Sequence, residues 1–239
     1  MPTVVLLHGF TQTRQSWRRT IAALGGRYRA LAPDLPGHGL ASERRPASFA
    51  ACAAYVRALG GDRFTLVGYS MGGRVALFTA LALPGLVERL VLVGASPGIA
   101  DAAEREQRRR ADEALADRIC SIGVEAFARE WGSQSLFAGQ AERVAAAAHA
   151  DRLRNTPSGL AAALRGLGTG VMPPLWDRLG ELAMPVTLVV GERDAKFRAV
   201  AGRMAPAIPR SHVVVVAGAG HAVQLEDPGA VAVAITDTP

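Results

Sequence analysis

The chain has 239 residues, of which 49% are hydrophobic and 20% charged, a balance that is ordinary for a globular protein with one sizeable core. Its formal net charge of +6 comes from arginines spread along the chain, since Lys196 is the only lysine. There is no basic tail and no alternation of basic with aromatic residues, so we expect no nucleic-acid partner. There is no apolar run of membrane-spanning length and no leader-like start, so we expect no membrane partner and a cytoplasmic location.

Short apolar runs alternate with helical patterns along the chain. Strands are predicted at residues 3–7, 28–32, 64–67, 89–93, 186–190 and 212–217. Helices are predicted at residues 15–24, 48–59, 70–83, 197–205 and 227–235. β-branched runs that alternate with helices indicate an α/β fold with a mostly parallel sheet of about six strands, and the continuous Val- and Leu-rich runs predict strands covered on both faces.

The interval between the fourth and fifth predicted strands breaks this alternation. It contains no convincing strand but four helical stretches, at residues 101–120, 124–131, 139–152 and 158–167. Because a plain connection is much shorter, we predict a helical lid at residues 99–181, inserted above the carboxyl ends of the strands. Residues 1–98 and 182–239 then form the core, and core and lid make one structural domain with an insertion.

A sharp turn is predicted between the third strand and the helix that follows it. The sequence there is Gly68-Tyr69-Ser70-Met71-Gly72, a G-x-S-x-G pattern. Between a strand and a helix this pattern is typical of a nucleophile elbow, whose flanking glycines allow the tight turn and whose serine Oγ is exposed. Ser70 is therefore the first candidate catalytic residue.

A serine hydroxyl needs a base, and the base needs an acid that orients it. Asp194 follows the fifth predicted strand and His221 follows the sixth, so both lie at the sheet edge where Ser70 lies. Their order along the chain is the one found with nucleophile elbows. Glu192 is the alternative acid. The remaining histidines are interpreted as structural residues: His8, His38, His149 and His212.

Two backbone N–H groups are predicted to form an oxyanion hole. Met71 follows the candidate nucleophile, and Phe10 lies in the loop after the first strand. Cys52 and Cys120 are interpreted as reduced thiols that act as small hydrophobic side chains. No His or Cys spacing resembles a metal-ligand set, and we predict no cofactor.

The motifs of the core carry a family resemblance that covers almost the whole chain. They are residues 7–10, residues 34–39, residues 68–73, Asp194 and His221. Together they resemble the α/β-hydrolase fold, which implies a mostly parallel sheet flanked by helices, with a lid after the fourth strand. This fold hosts many reactions, so it does not by itself specify one.

Motifs in and around the lid narrow the resemblance. They lie at residues 72–74, 94–99, 104–112, 127–131, 136–137, 152–155, 167–170 and 191–197. This set resembles the 2-succinyl-6-hydroxy-2,4-cyclohexadiene-1-carboxylate synthases, the pyruvate-eliminating lyases of menaquinone biosynthesis. The resemblance implies a small substrate with several carboxylates.

The resemblance also implies which residues bind that substrate. The matching positions are Tyr69, Arg74, Arg108, Trp131 and Arg152. Arg154 is an open alternative to Arg152, because it lies two residues away and the local match is loose. The guanidinium group suits this role because its planar fork can bind both oxygens of a carboxylate.

For a lyase of this family, Ser70 activated by His221 and Asp194 would act as a general base, and the Phe10 and Met71 amides would stabilise developing negative charge. The alternative is a serine carboxylic-ester hydrolase that forms an acyl-enzyme. The same triad serves both, so the pocket arginines discriminate between them. The sequence leaves the oligomeric state open.

Overall fold

The structure is a computed structural model that describes residues 1–237. Residues 238 and 239, which end the predicted core range, lie outside the described residues. No helix in the described part of the chain is both long enough and apolar enough to cross a lipid bilayer.

Six strands form one sheet in which every neighbouring pair is parallel. The strands are β1 (Thr3–Leu7), β2 (Arg29–Leu31), β3 (Phe64–Tyr69), β4 (Val87–Val93), β5 (Val186–Gly191) and β6 (Ser211–Val216). Their order across the sheet is β2-β1-β3-β4-β5-β6. The order reverses between β1 and β3, and it is at such a switch point that open parallel sheets form ligand sites. The predicted α/β-hydrolase fold class is confirmed.

Nine α-helices accompany the sheet within residues 1–237. They are α1 (Arg18–Ala23), α2 (Phe49–Gly60), α3 (Met71–Ala82), α4 (Ala102–Gly132), α5 (Glu142–Arg152), α6 (Pro157–Leu167), α7 (Ala195–Met204), α8 (Val223–Glu226) and α9 (Pro228–Thr236). The sequence analysis missed α8, because four residues are too few to show a helical periodicity.

The pleat of the sheet sends alternate side chains into two cores. Val5 and Leu7 of β1 point to the face covered by α2 and α3, whereas Val4 and Leu6 point to the face covered by α1 and α9. The prediction that all strands are covered on both faces is wrong for the edge strand β6. Its Val213 and Val215 are 38% and 50% exposed.

Between β4 and β5 the described chain forms three helices, short 3-10 turns and no strand. Helix α4 is kinked at Gly123, whose φ of 78° and ψ of 169° are not helical, so the two predicted helices at 101–120 and 124–131 are its two arms. Ile119 and Phe127, one from each arm, share a separate hydrophobic cluster with Leu160 and Leu164 of α6. The kink therefore folds the arms around α6.

Helix α6 lies directly on the core loops. A Cβ atom on Gly166 would come within 1.6 Å of the carbonyl oxygen of Ala47, and one on Gly159 would come within 2.6 Å of the carbonyl oxygen of Gly37. Only glycine allows backbones to approach so closely. These contacts fix the lid against the loops that follow β2.

Two fully buried histidines join the loops after β1 and β2. The Leu35 N–H donates to His8 Nε2 at 2.9 Å, and His8 Nδ1 lies 2.9 Å from the Gly9 carbonyl oxygen. The His38 ring stands edge-on to the His8 ring, with 4.9 Å between centroids. Burial lowers the pKa of His8 and lowers that of His38 well below its usual value, so both are neutral and structural.

The two cysteines have different surroundings. Cys52 is buried in the core, and burial raises the pKa of its thiol to about 12. Cys120 is a free thiol, as predicted, but it is exposed on α4 and so does not pack as a small hydrophobic side chain.

Substituting Gly166→Ala should destabilise the protein by about 1–3 kcal/mol, because the new methyl group must push α6 away from Ala47. Gly202→Ala is the matched control, because Gly202 is also helical but its added Cβ meets nothing within 4 Å. That control should be neutral or stabilise by up to about 1 kcal/mol. Urea unfolding of both variants measures the difference, and equal effects would contradict the close approach.

The buried histidines predict acid sensitivity. In the folded protein the pKa values of His8 and His38 lie below the usual 6.5. Below about pH 6.5 the unfolded chain therefore binds protons that the folded protein does not bind. The free energy of unfolding should therefore fall as the pH drops from 8 to 5.5. In His38→Asn the slope should be shallower than in the unmodified protein, because one of the two groups with a lowered pKa is gone. Parallel slopes for the two proteins in urea titrations would disprove the acid sensitivity assigned to His38.

Candidate active site

The turn between β3 and α3 holds Ser70 in a strained conformation. Its φ of 48° lies in the left-handed region and its ψ is −108°. A Cβ on Gly68 would lie 2.3 Å from the Gly72 carbonyl oxygen, and one on Gly72 would lie 2.2 Å from the Leu7 carbonyl oxygen. Backbone therefore packs on backbone around the serine, which is why both flanking positions are glycine.

Ser70, His221 and Asp194 form a hydrogen-bonded chain. His221 Nδ1 lies 2.6 Å from Asp194 Oδ2, and His221 Nε2 lies 3.3 Å from Ser70 Oγ. The other Asp194 oxygen accepts the Phe197 N–H at 3.1 Å, which caps the start of α7. The helix thus fixes the acid, the acid orients the imidazole, and the imidazole faces the serine.

The alternatives weighed from the sequence lie elsewhere. Glu192 is exposed, and its carboxylate accepts the N–H of Gly218 at 2.8 Å. His149 lies on the lid helix α5, and His212 lies on the edge strand β6. The geometry therefore favours Asp194 as the acid and His221 as the base.

Aromatic rings hold the His221 imidazole in place. The Phe197 ring lies 4.5 Å from it and the Tyr69 ring 5.2 Å, measured between centroids. On the remaining side, a Cβ on Gly94 would come within 2.9 Å of His221 Cε1. Burial raises the pKa of the Tyr69 phenol, so Tyr69 stays protonated at neutral pH.

The loop after β1 is a tight turn that presents the Phe10 amide. The Gln12 N–H donates to the Gly9 carbonyl at 3.1 Å, and Thr11 has a φ of 68°, which is rare for a β-branched residue. Within residues 1–237 the Phe10 N–H donates to no protein group. Met71 begins α3, so its N–H also lacks a helical acceptor. Two unused amides therefore lie at the carboxyl ends of β1 and β3.

Lid residues hold this loop from the other side. Asn155 Nδ2 donates to the Thr11 carbonyl at 2.8 Å, and Asn155 Oδ1 accepts the Gly39 N–H at 3.0 Å. The Asp151 carboxylate accepts both the N–H of Thr13, at 2.9 Å, and its hydroxyl, at 2.5 Å. The sequence analysis gave Asn155 and Asp151 no role, although Asn155 is the only asparagine in the chain.

A cavity of about 1080 Å³ lies above Ser70, between the strand ends and the lid. Most of the predicted site residues line it: Phe10, Ser70, Met71, Arg74, Arg108, Trp131, Asp194 and His221. Trp131 closes it from the lid side, with its ring 5.2 Å from the Phe10 ring. Tyr69 and Arg152 are not among the lining residues, and Tyr69 lies beneath the triad instead.

Arg74 and Arg108 are two of the cations that line this cavity. Arg74 donates to the Leu167 carbonyl at 2.7 Å, and burial, with Arg108 nearby, lowers its pKa to about 10, so it remains charged at neutral pH. Arg108 Nε donates to the buried carboxylate of Asp112 at 2.7 Å. Asp112 is a positioning residue that the sequence analysis did not identify.

Arg152 does not line the cavity. Its side chain is buried, its guanidinium lies 5.1 Å from the centroid of the Phe137 ring, and no described group accepts from its Nε. Arg154 is exposed and lies 3.8 Å from Asp151. Since neither lines the cavity, a substrate contact at this position stays a prediction.

No group of three or more His, Cys, Asp or Glu side chains among residues 1–237 is arranged to hold a metal ion. The chemistry that the arrangement supports is proton transfer or nucleophilic attack by Ser70, with amide and guanidinium groups for negative charge.

Comparison with known proteins extends this description. Residues 4–234 match the Alpha/beta hydrolase family. A putative 2-succinyl-6-hydroxy-2,4-cyclohexadiene-1-carboxylate synthase of Bacillus subtilis is 38% identical, over 94% of this chain and 85% of that protein. The solved structure of MenH from S. aureus superimposes with a TM-score of 0.91 at 34% identity, covering 98% of this chain and 91% of that one.

A more distant solved structure carries a different activity in its name. A thermophilic esterase from Thermogutta terrifontis superimposes with a TM-score of 0.80 at 29% identity, covering 98% of this chain and 88% of that one. The family match and the relatives of higher identity indicate the same family. The chain therefore belongs to the alpha/beta hydrolase family and, within it, to the family of the 2-succinyl-6-hydroxy-2,4-cyclohexadiene-1-carboxylate synthases.

Proposed function

We propose that this chain is a carbon–oxygen lyase of menaquinone biosynthesis. It eliminates pyruvate from 2-succinyl-5-enolpyruvyl-6-hydroxy-3-cyclohexene-1-carboxylate and yields 2-succinyl-6-hydroxy-2,4-cyclohexadiene-1-carboxylate. The observation that carries the proposal is that Arg74 and Arg108 share one cavity with Ser70, His221 and Asp194. The names of the nearer relatives support the same activity.

The substrate carries three carboxylates: one on the ring, one on the succinyl chain and one on the enolpyruvyl group. Each of the two arginines donates one hydrogen bond within the protein: Arg74 to the Leu167 carbonyl and Arg108 to the Asp112 carboxylate. Their remaining N–H groups are available to carboxylate oxygens. Arg152 is a further cation nearby, although it does not line the cavity.

In the proposed reaction Ser70 acts as a general base. Its Oγ takes a proton from a ring carbon while His221 Nε2 accepts the hydroxyl proton, and Asp194 stabilises the resulting imidazolium. The proton leaves ring carbon 2, and the electron pair of that C–H bond forms a double bond to carbon 3. The double bond already present between carbons 3 and 4 shifts to carbons 4 and 5 and displaces the oxygen on carbon 5. The C–O bond to the side chain breaks, and the departing enolpyruvate takes up a proton to become pyruvate.

The backbone amides of Phe10 and Met71 stabilise the negative charge that develops while the proton is removed. Electron density from the ring carbon spreads onto the ketone oxygen of the succinyl group that this carbon carries, and amides already fixed in position stabilise it without rearrangement. Because Asn155 and Asp151 of the lid hold the Phe10 loop, the lid contributes to this stabilisation as well as to enclosure.

A serine carboxylic-ester hydrolase is the alternative function, and the similarity to a thermophilic esterase is the observation that keeps it open. The serine would then attack an ester carbonyl and form an acyl-enzyme. A neutral ester makes no use of Arg74 or Arg108, so this reading leaves the charge of the cavity unexplained.

Pyruvate release tests the proposed function directly. Given the enolpyruvyl substrate, the protein should release pyruvate, measured by coupled lactate dehydrogenase. Ser70→Ala should lower turnover by about 10²–10⁴-fold, the range for loss of a positioned general base. Mass spectrometry should find no acylated Ser70 during turnover. Background-level pyruvate release together with rapid p-nitrophenyl ester cleavage would instead establish the esterase.

Arg74→Ala should separate the two functions. It should lower kcat/KM for the carboxylate-bearing substrate by about 100-fold, the effect of losing a charge-assisted hydrogen bond in a partly desolvated site, and spare any weak cleavage of a neutral ester. Arg110→Ala is the control, since Arg110 is an exposed α4 residue paired with Glu106. Equal losses on both substrates for Arg74→Ala would argue against a carboxylate contact.

A further inference from the structure

The wall of the cavity formed by α7 carries cations that the proposed reaction has not used. Lys196, Val200 and Arg203 line the cavity and are spaced four and three residues apart, so they share one face of α7. Arg74 and Arg108 belong to α3 and α4. The cavity therefore has positive charge from α7 as well as from α3 and α4.

The cations that line the cavity differ in the partners that they bind within the protein. Arg74 and Arg108 have protein acceptors, and Arg193 binds the Glu226 carboxylate at 3.0 Å and the Gly139 carbonyl at 2.8 Å. Arg203 lies over the Trp176 ring at 4.4 Å. Within residues 1–237, Lys196 has neither a hydrogen bond nor an ion pair, and its ammonium is 5.7 Å from the centroid of the Phe197 ring.

Lys196 lies close to the catalytic groups. It is two residues after Asp194, which caps α7, and it precedes Phe197, whose ring packs on the His221 imidazole at 4.5 Å. The same first turn of α7 therefore fixes the acid, supports the base and carries an unpaired ammonium on an exposed residue that lines the cavity.

Position 196 carries a lysine rather than an arginine, and this difference affects how a carboxylate would be bound there. Of the 27 Lys and Arg residues in the chain, Lys196 is the only lysine. An ammonium is a compact, strongly hydrated charge on a flexible stem, whereas a guanidinium binds both oxygens of a carboxylate in a fixed plane. A lysine therefore suits a carboxylate that must be held briefly and then released at the cavity mouth.

We propose that Lys196 binds the carboxylate of the enolpyruvyl group and of the pyruvate that it becomes. This inference rests on the proposed function, which supplies a substrate with three carboxylates. Arg74 and Arg108 can each pair with one of them, and Lys196 takes the third from α7. The leaving group then departs along the exposed side of the cavity, which is the side where Lys196 lies.

The test compares Lys196→Gln with Lys196→Arg and with Arg198→Gln. Arg198 is the matched control, because it is an exposed cation on the same helix, does not line the cavity and donates to the Glu192 carbonyl. In Lys196→Gln, the KM for the enolpyruvyl substrate and the inhibition constant of pyruvate should each rise about fivefold. Lys196→Arg should retain part of the binding, and Arg198→Gln should match the unmodified protein.

Direct ligand binding makes the test independent of turnover. Binding of pyruvate and of its neutral analogue pyruvamide would be followed by ligand-observed NMR. Lys196→Gln should weaken the binding of pyruvate and leave the binding of pyruvamide unchanged. Equal weakening of both ligands, unchanged pyruvate binding, or a raised substrate KM without a change for pyruvate would each overturn the assignment. Absence of pyruvate release by the unmodified protein would refute the proposed function alone, because pyruvate binding still decides the role of Lys196.

Discussion

The whole site depends on one close backbone contact, in which the first turn of α3 packs against the end of β1. A side chain at Gly72 would collide with the Leu7 carbonyl oxygen, so the helix can approach only because that position is glycine. This approach forces Ser70 into a left-handed conformation and aims its hydroxyl away from the sheet. It also places the Met71 amide beside the loop that carries Phe10. The position of Ser70 and that of the two unused amides are thus consequences of the same packing constraint.

A second strained residue shows that the lid is part of the catalytic structure. Thr11 adopts a positive φ that a β-branched residue rarely takes, and the turn it closes presents the Phe10 amide. Its carbonyl is held by Asn155 and the next part of the loop by Asp151, both from the lid. A displacement of Asn155 or Asp151 would therefore reach the loop that carries Phe10 directly. The helices between β4 and β5 thus hold a loop at the cavity as well as lining it.

The sequence predicted the features that local patterns encode. Strand order along the chain, the glycines around Ser70 and the positions of Asp194 and His221 after their strands all follow from short segments. The features it missed depend on tertiary contacts. Asn155 meets Thr11 across 144 residues, and no local pattern reveals that contact. The exposed face of β6 follows from its place at the edge of the sheet.

The triad alone leaves the reaction open, since a hydroxyl 3.3 Å from an imidazole can attack a carbonyl or take a proton. What differs between those uses is the charge that the cavity must stabilise. Acyl transfer needs donors only at the oxyanion, whereas a substrate with several carboxylates needs cations around its whole perimeter. Cations line this cavity from α3, α4 and α7, and a buried carboxylate, Asp112, orients one of them without cancelling the rest. Arg74 is the cation among them whose burial lowers its pKa, and a buried charge of this kind is unfavourable unless an anion pairs with it. The arrangement of charge, more than the serine, therefore makes this cavity suited to a polycarboxylate.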